Sequence, residues 1–354
     1  MLNNIICERI KYKVVLYISM DYVKYIVTLI MLLALGMVYD KFKLHFVDDD
    51  NAKHYNIVRQ YLLNKDEPSL AQPNNKPIIW IHTDYEINAT HWASFGSRNT
   101  RTMNQPYKLL TIKSIIDRCG GDFNICMIDD GSFSKLVPDW VIDMEALSNP
   151  IRGNIRRLAM ARLLKTYGGM LVPGSFICLR NLRDIYESGI ESRGEMFVGE
   201  LISDGGVGPS RNPNIAYPST QFMGCKKDSQ TMSEYIRYLE RLNSTDYTAE
   251  SAFVGEDSEW CKKKIAECEL TLIPGKLLGA RHVDGGVMKI EELMGNSYVD
   301  IEKDALGIYI PEKEILRRSK FQWFARLSTG QALTSDTVIG KYLVIASSES
   351  CAKQ

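Results

Sequence analysis

The chain has 354 residues, of which 45% are hydrophobic, 24% charged and 10% aromatic, and its 43 basic residues balance 43 acidic ones. These proportions are those of a folded globular protein, and they exclude a disordered, collagen-like or disulfide-stapled miniature protein. The balanced charge argues against a nucleic-acid partner, because phosphate neutralisation needs a basic excess on one face.

The eight cysteines contain no C-x-x-C pair, so a structural zinc site has no support. We expect most of them to be buried thiols. Cys119 with Cys126, or Cys261 with Cys268, could pair in an oxidising compartment. The sequence does not decide between thiols and disulfides.

An uncharged apolar stretch, YIVTLIMLLALGMVY, runs from Tyr25 to Tyr39. Extended back to about Tyr22, with Lys24 reaching the head groups, a helix here approaches the roughly 30 Å of a bilayer core. We therefore expect an N-terminal tail and membrane anchor over residues 1–40, with its single helix at about 22–39, and a stalk over 41–76. A cleaved signal peptide and a buried helix are the alternatives. Basic residues flank the stretch on both sides, so the side of the membrane is undetermined.

Strand and helix patterns alternate after the stalk, which predicts an α/β fold with a mostly parallel sheet over residues 77–354. The apolar run Pro77–Thr83 predicts a strand buried on both faces, and Phe123–Ile128 predicts the next strand. Between them, Tyr107–Cys119 predicts a helix whose apolar stripe consists of Leu109, Ile112, Ile115 and Ile116.

A second helix, whose apolar face holds Ile155, Leu158, Ala159 and Leu163, is predicted to end at Gly168-Gly169. The strand Met170–Val172 follows it. Ser203–Pro218 is predicted to be a loop, and the aromatic cluster Phe321–Phe324 is predicted to lie in the core.

The most specific pattern lies in Arg156 to Leu179, RRLAMARLLKTYGGMLVPGSFICL. Leu164, Tyr167, Gly168-Gly169 and the apolar strand after them resemble the signature of the glycosyltransferase sugar-binding family and of the related capsular polysaccharide synthesis proteins. In that signature, D-x-x-R-x-x-x-L-x-x-x-G-G leads into a strand that ends in D-x-D. The resemblance covers roughly residues 77–225. It implies a GT-A fold, a Rossmann-like sheet that binds a nucleotide sugar at the carboxyl ends of its strands.

The chain departs from that signature at its polar positions. Pro173 and Ser175 stand where the two metal-binding aspartates should fall, and Arg157 and Met160 stand where the helix Asp and Arg should fall. The aspartates hold a divalent cation against the diphosphate leaving group, whereas proline offers no ligand and a lone hydroxyl is a weak one. We therefore expect no cofactor, and Mn²⁺ or Mg²⁺ only if other ligands hold it in an active enzyme.

Other residues are candidates for binding phosphate or nucleotide. Arg162, with Lys165 or Arg180 nearby, could hold phosphates in place of a metal, or these residues could be ordinary surface cations. Asp129 and Asp130, at the carboxyl end of a strand, could bind ribose or a metal, or could cap the following helix.

His82 is a further nucleotide-binding candidate, but a metal site formed by His82, Asp84 and His91 has no support from their spacing. Asp130 and Glu200 are the carboxylates that we name as catalytic candidates, and Glu256 is a weaker one. Each of them could equally be a solvated or capping residue.

These patterns predict a membrane-anchored, glycosyltransferase-like protein that has lost catalysis and serves a structural or binding role. Degenerate relatives of the resembling family occur in large DNA viruses, so a membrane-associated virion or minor capsid component is one form of that role. The alternative is an active, metal-independent glycosyltransferase for surface polysaccharide or glycoprotein synthesis. The expected partners are a membrane, proteins of an assembly and a nucleotide sugar, and not nucleic acid.

Overall fold

The computed structural model describes residues 61–62, 76–83, 105–202, 215–245 and 250–351. The expected anchor over 22–39, nearly all of the stalk, Asp84 and His91 lie outside these residues. In the part of the chain that the structure describes, no helix combines the length and apolarity that a membrane span requires. The division into anchor, stalk and domain stays a prediction.

The described strands form a six-stranded sheet in the order β2-β1-β3-β6-β5-β7 and a separate antiparallel pair, β4 with β8. β6 runs against its neighbours β3 and β5, whereas the remaining strands of the sheet share one direction. The strands are β1 (Ile78–His82), β2 (Asn124–Ile128), β3 (Gly169–Leu171), β4 (Phe176–Cys178), β5 (Met196–Ile202), β6 (Ala216–Cys225), β7 (Thr271–Ile273) and β8 (Gly307–Tyr309). The chain is therefore an α/β protein with a mostly parallel central sheet.

Helices flank this sheet. They are α1 (Tyr107–Cys119), α2 (Phe133–Leu136), α3 (Ile151–Tyr167), α4 (Arg183–Ile190), α5 (Gln230–Asn243), α6 (Glu250–Ala266), α7 (Ile290–Leu293), α8 (Glu312–Arg317), α9 (Gln322–Ala325), α10 (Thr329–Leu333) and α11 (Val338–Cys351). A 3₁₀ turn, Asp130–Ser132, leads into α2. The helix predicted over Tyr107–Cys119 and the strand predicted over Phe123–Ile128 are confirmed, the strand starting one residue later.

β1 is buried on both of its faces, as the sequence predicts. Ile79, Trp80 and Ile81 are all fully buried, although neighbouring side chains of a strand point to opposite faces. β1 lies between β2 and β3 and is hydrogen-bonded to both. An apolar run without alternation is typical of a strand in this central position.

The double glycine after α3 allows β3 to approach β1 closely. Gly168 and Gly169 have φ angles of +72° and +96°, a region that side-chain-bearing residues rarely adopt. A Cβ atom at Gly169 would lie 2.2 Å from the carbonyl oxygen of Ile78. The indole Nε1 of Trp80 donates to the carbonyl oxygen of Gly168 at 3.1 Å. The helix, the turn and the strand therefore form one unit around β1.

The apolar faces of the two predicted helices differ from expectation. On α1, Leu109 is 52% exposed, whereas Thr111 and Ser114 are buried, so the predicted stripe was wrong at Leu109. The hydroxyl of Ser114 accepts from the backbone N–H of Cys178 at 2.9 Å, which satisfies both groups in the core.

On α3, the run from Leu158 to Leu164 is buried nearly all round rather than along one face. This helix packs between the sheet and α5, so it has no wide solvent face.

The predicted loop Ser203–Pro218 ends earlier than expected, because Ala216, Tyr217 and Pro218 belong to β6. Pro218 pairs with Glu200 of β5, and β3 pairs only with the far end of β6. The missing N–H of proline therefore breaks no hydrogen bond to β3.

The cluster Phe321–Phe324 lies in the core at Phe321 and Phe324 but not at Trp323, which is 45% exposed.

Cys119, Cys126, Cys178, Cys225 and Cys261 are buried free thiols, and Cys268 is an exposed one, in line with the expectation that most cysteines are buried. Of the two pairings that the sequence left open, neither Cys119 with Cys126 nor Cys261 with Cys268 forms a disulfide in the structure. The Sγ atoms of Cys119 and Cys178 lie 3.9 Å apart. The end of α1 packs on β4, which brings these two residues together.

Candidate functional site

A cavity of about 170 Å³ opens at the carboxyl ends of β1 and β3. His82 is the last residue of β1, and the segment Leu171–Ser175 leaves β3 along the cavity wall. The remaining walls come from α1, α3, β6, β8 and α8. Ligands of open α/β sheets bind at this edge, because loops that follow parallel strands converge there.

The charged groups on the cavity wall are mainly cationic. Lys108 at the start of α1, Arg156 and Arg157 on α3, and Lys313 on α8 all line the cavity, together with His82. Glu312 is the carboxylate among the described lining residues, and it forms an ion pair with Lys108. The wall therefore carries an excess of positive charge, which suits an anionic ligand.

Two of the predicted binding residues, His82 and Asp130, contact each other at the edge of the cavity. The Nε2 atom of His82 lies 3.0 Å from Oδ1 of Asp130, and the imidazole stacks on Phe133 with ring centroids 5.8 Å apart. Arg156 donates to the same carboxylate from Nε at 2.7 Å and from Nη2 at 2.6 Å. Burial alone would raise the pKa of Asp130, but the hydrogen bonds from Arg156 and His82 outweigh it and hold that pKa well below its usual range.

Asp129 and Asp130 have different roles in the structure. Asp129 caps the turn before α2, because its Oδ1 atom accepts from the backbone N–H of Ser132 at 2.9 Å. The helix-capping alternative is therefore correct for Asp129, whereas Asp130 orients two cavity residues.

Pro173 and Ser175 lie in the cavity wall, directly after β3. The backbone N–H of Phe176 donates to the carbonyl oxygen of Pro173 at 3.0 Å, and the Thr111 hydroxyl donates to the carbonyl oxygen of Gly174 at 2.5 Å. This turn is therefore held in place by its own backbone and by α1. Arg157 and Met160 also line the cavity. They stand where the signature described above has its helix Asp and Arg.

The side chains at this position do not fit a divalent cation. Mn²⁺ and Mg²⁺ prefer several hard oxygen ligands, and carboxylates above all. Ser175 offers one buried hydroxyl, while Asp130 and Glu312 already form ion pairs with Arg156 and Lys108. Among the residues that the structure describes, no three His, Cys, Asp or Glu side chains are grouped so that they could hold a metal ion.

An uncharged polar wall faces the cavity from β6 and β8. The hydroxyl of Tyr309 donates to Oε1 of Gln221 at 2.7 Å, and both residues line the cavity. The neighbouring Thr220 donates to Oδ2 of Asp257 at 2.8 Å, and Tyr235 donates to Oδ1 at 2.6 Å. Burial raises the pKa of Asp257, although the positive charge of Arg157 acts in the opposite direction.

Other predicted residues lie away from this cavity. Arg162 forms an ion pair with Glu240 at 2.6 Å, and its guanidinium lies over the ring of Trp140. Arg180 forms an ion pair with Asp304 on the surface. Neither these arginines nor Lys165 line the cavity, so of the predicted phosphate- or nucleotide-binding residues it is His82, with Asp130 bound to it, that lies at the cavity.

The catalytic candidate Glu200 also lies elsewhere, within β5 and two residues before its end. Its Oε1 atom accepts from Nε of Arg281 at 2.8 Å, and its Oε2 atom accepts from the backbone N–H of Gly275 at 2.9 Å. This carboxylate holds the turn after β7 and does not line the cavity. Glu256 is exposed on α6, away from the cavity walls.

Sequence reasoning missed most of the residues that line the cavity. Lys108, Arg156 and Lys313 are basic residues on helices, where a solvated role is the usual one. Ser219-Thr220-Gln221 is a polar interruption within an apolar strand, and this was the one available signal for the uncharged wall.

No protein-family model matches the chain, and no curated protein matches it. Among solved structures, the chain is similar to a Bacillus anthracis protein described as a glucose-1-phosphate thymidylyltransferase in complex with a sucrose. The two chains share 13% identity with a TM-score of 0.31, over 56% of this chain and 86% of the other. At this level the similarity assigns no function.

Proposed function

We propose that the chain is a glycosyltransferase-like protein of the GT-A type that binds the diphosphate of a nucleotide sugar through cationic side chains, without a divalent metal and without transferring the sugar. The observation that carries this proposal is the cationic wall of the cavity at the carboxyl ends of β1 and β3. This edge of the sheet is where a Rossmann-like fold binds nucleotides.

The cationic side chains replace the charge that a metal would supply. Arg157 and Lys313 reach the cavity from two different helices, so an anion between them is neutralised from two sides. Arg156 is held in a fixed orientation by Asp130, which lowers the entropy that it loses when it meets a ligand. Such a site binds phosphate groups whether or not Mn²⁺ is present.

The proposal is binding rather than transfer because the carboxylates near the cavity are engaged. Asp130 is bound by Arg156 and His82, and Glu312 is bound by Lys108. Acting as a base or nucleophile would weaken the ion pair that either carboxylate forms. The same proposal includes the expected membrane anchor at residues 22–39 and a structural role in a protein assembly, such as a virion or minor capsid component.

Calorimetric titration of the full chain in detergent tests the binding site. The ligands are UDP, GDP, and UDP-, GDP- and CMP-linked sugars, each with Mn²⁺ and with a chelator. We expect micromolar binding of at least one nucleotide diphosphate and an affinity that is unchanged by Mn²⁺. Arg157→Ala should weaken this binding at least about tenfold, because a charge-assisted hydrogen bond is lost.

Arg162→Ala is the matched control, since Arg162 lies on the same helix but outside the cavity. It should leave the affinity unchanged within about twofold, because the ion pair that it removes is on the surface. Absence of binding at millimolar nucleotide would refute the proposed site. Equal losses in the two variants would show that the cavity is not where the nucleotide binds.

A turnover assay decides between a binding protein and an active transferase. Release of free nucleotide from each nucleotide sugar is followed over hours, with glycan and protein acceptors present. We expect no release above that of a buffer control. Steady release that Arg157→Ala abolishes would establish the active, metal-independent glycosyltransferase instead.

A further inference from the structure

A bulge in β6 brings two successive residues of the strand to the cavity wall. Val198 of β5 pairs with Met223, but the next residue, Gly199, pairs with Ser219, so that residues 220–222 lie between the two pairs. In a regular strand, neighbouring side chains point to opposite faces. Here Thr220 and Gln221 both line the cavity. Bulges re-aim side chains in this way next to functional sites.

Buried groups fix this bulge on both sides. Phe222 is fully buried and packs against the rings of Phe176 and Phe197. The Thr220 hydroxyl donates to Asp257, which is itself buried. Because its neighbours on either side are anchored, the backbone of Gln221 has little freedom to move.

The side chain of Gln221 is oriented by Tyr309. The Tyr309 hydroxyl, on a residue that is 1% exposed, donates to Oε1 of Gln221 at 2.7 Å. A glutamine amide carries one acceptor oxygen and two N–H donors. Tyr309 occupies one of the two lone pairs of that oxygen and fixes the plane of the amide, so the two N–H groups are the main hydrogen-bonding capacity that Gln221 offers to a ligand in the cavity.

This donor differs in kind from the rest of the cavity wall. The cations that line the cavity are on α1, α3 and α8, whereas Gln221 and Tyr309 are uncharged and lie on β6 and β8. A nucleotide sugar has the same division, because its diphosphate is anionic and its glycosyl ring carries neutral hydroxyl oxygens. A fixed amide donor suits a hydroxyl oxygen, while the cations suit the phosphates.

We infer that Gln221, held by Tyr309, is a specificity-determining residue that donates a hydrogen bond to a hydroxyl oxygen of the glycosyl group. This inference rests on the proposed function, since it assigns one part of the ligand of that same cavity. It predicts that Gln221 affects the affinity for a nucleotide sugar but not the affinity for its free nucleotide diphosphate.

The test compares matched ligands on the full chain in detergent. UDP is titrated beside UDP-glucose, and GDP beside GDP-mannose, and the ratio of the Kd for the sugar to the Kd for the diphosphate is taken for each pair. We expect Gln221→Met to raise this ratio about tenfold for at least one pair, with the Kd of the diphosphate unchanged, because one hydrogen bond is lost. Gln230→Met, on the exposed start of α5, is the matched control and should leave every ratio unchanged.

Tyr309→Phe supplies a second, independent variant. It removes the hydroxyl that orients the amide while leaving the amide itself, so we expect a rise of about threefold in the same ratio. Thermal melts followed by circular dichroism establish that each variant is folded. If Gln221→Met does not fold, the ratio for Tyr309→Phe decides.

The outcomes separate this inference from the proposed function. If the diphosphates bind but the ratio does not change in either variant, Gln221 does not recognise the sugar, and the proposed diphosphate site stands. If Gln221→Met weakens UDP and UDP-glucose equally, Gln221 contacts phosphate, and the inference is wrong. If no nucleotide binds, the proposed function fails and the inference fails with it.

Discussion

Arg156 and Asp130 form a two-point ion pair that joins α3 to the carboxyl end of β2. Nε of Arg156 lies 2.7 Å from Oδ1, Nη2 lies 2.6 Å from Oδ2, and the two side chains are 19% and 20% exposed. The same carboxylate meets His82 at the end of β1. One carboxylate therefore links two strands and a helix at the edge of the sheet where the cavity opens.

Asp130→Asn should reduce stability in a way that depends on pH. We expect a loss of about 2 kcal/mol at pH 7, because a partly buried ion pair and its hydrogen bonds are weakened. The pKa of Asp130 is lower in the folded state than its unfolded value of about 3.9, so its contribution is present above that value and is lost as the pH falls. In urea denaturation, the difference in free energy of unfolding between variant and wild type should be about 1 kcal/mol smaller at pH 3 than at pH 7.

Asp184→Asn is the control for this experiment, since Asp184 is exposed on α4. It should change stability by less than about 0.5 kcal/mol at either pH. A loss in Asp130→Asn that is equal at pH 3 and pH 7 would show that the charge of Asp130 does not contribute to folding.

The central part of the fold could be predicted from the sequence, because burial in a strand or helix determines which of its positions are apolar. β1 is an unbroken apolar run, and α3 is followed by two glycines and a short apolar strand, so each element carried its own signal. The burial of Thr111 and Ser114 could not be predicted in this way. Their hydroxyls are satisfied by groups on distant segments, which periodicity does not report.

Gly169→Ala should destabilise the fold severely. The added Cβ would lie 2.2 Å from the carbonyl oxygen of Ile78, and the φ angle of +96° is strained for alanine. We expect a loss of about 3 kcal/mol or more, or a failure to fold, as measured by denaturant unfolding.

Gly153→Ala is the matched control, because a Cβ at this position on α3 meets no atom within 4 Å. It should raise stability by about 0.5–1 kcal/mol, since alanine favours helix over glycine. If Gly169→Ala were as stable as wild type, the close approach of β3 to β1 described here would be incorrect.

Asp257→Asn should show the opposite pH behaviour to Asp130→Asn. Asparagine can still accept from Tyr235 and can donate to Thr220, so the two hydrogen bonds have counterparts. Burial raises the pKa of Asp257 in the folded state, and the wild type therefore loses stability as the pH rises from about 4 toward that raised value. Over this range the free energy of unfolding of the variant should rise relative to that of the wild type, by up to about 1.4 kcal/mol per pH unit.

Urea denaturation at pH 4, 5.5 and 7 measures this trend. Asp130→Asn in the same series is the comparison, because the pKa of Asp130 is shifted in the opposite direction. A difference between Asp257→Asn and wild type that stays constant with pH would mean that Asp257 has the same pKa in the folded and unfolded chain.

The candidate site could be predicted less well than the fold, because it is assembled across elements that lie far apart in the chain. The resemblance directed attention to Pro173 and Ser175, and both lie in the cavity wall. Local pattern alone points to Arg162 and Glu200, but each is bound by a partner that is distant in sequence, Glu240 for Arg162 and Arg281 for Glu200. No local pattern could reveal that these charges were already paired.

The thiols should differ widely in their reactivity toward an alkylating reagent. Cys268 is exposed, whereas Cys126 and Cys225 are fully buried, and burial raises the pKa of both buried thiols. Because the thiolate is the reactive form and must reach the reagent, native alkylation at pH 8 should modify Cys268 at least about 100-fold faster than Cys126 or Cys225. Peptide mapping by mass spectrometry measures each site separately. In 8 M urea the three rates should converge, and comparable rates in the native chain would contradict the burial of β2 and β6 in the sheet.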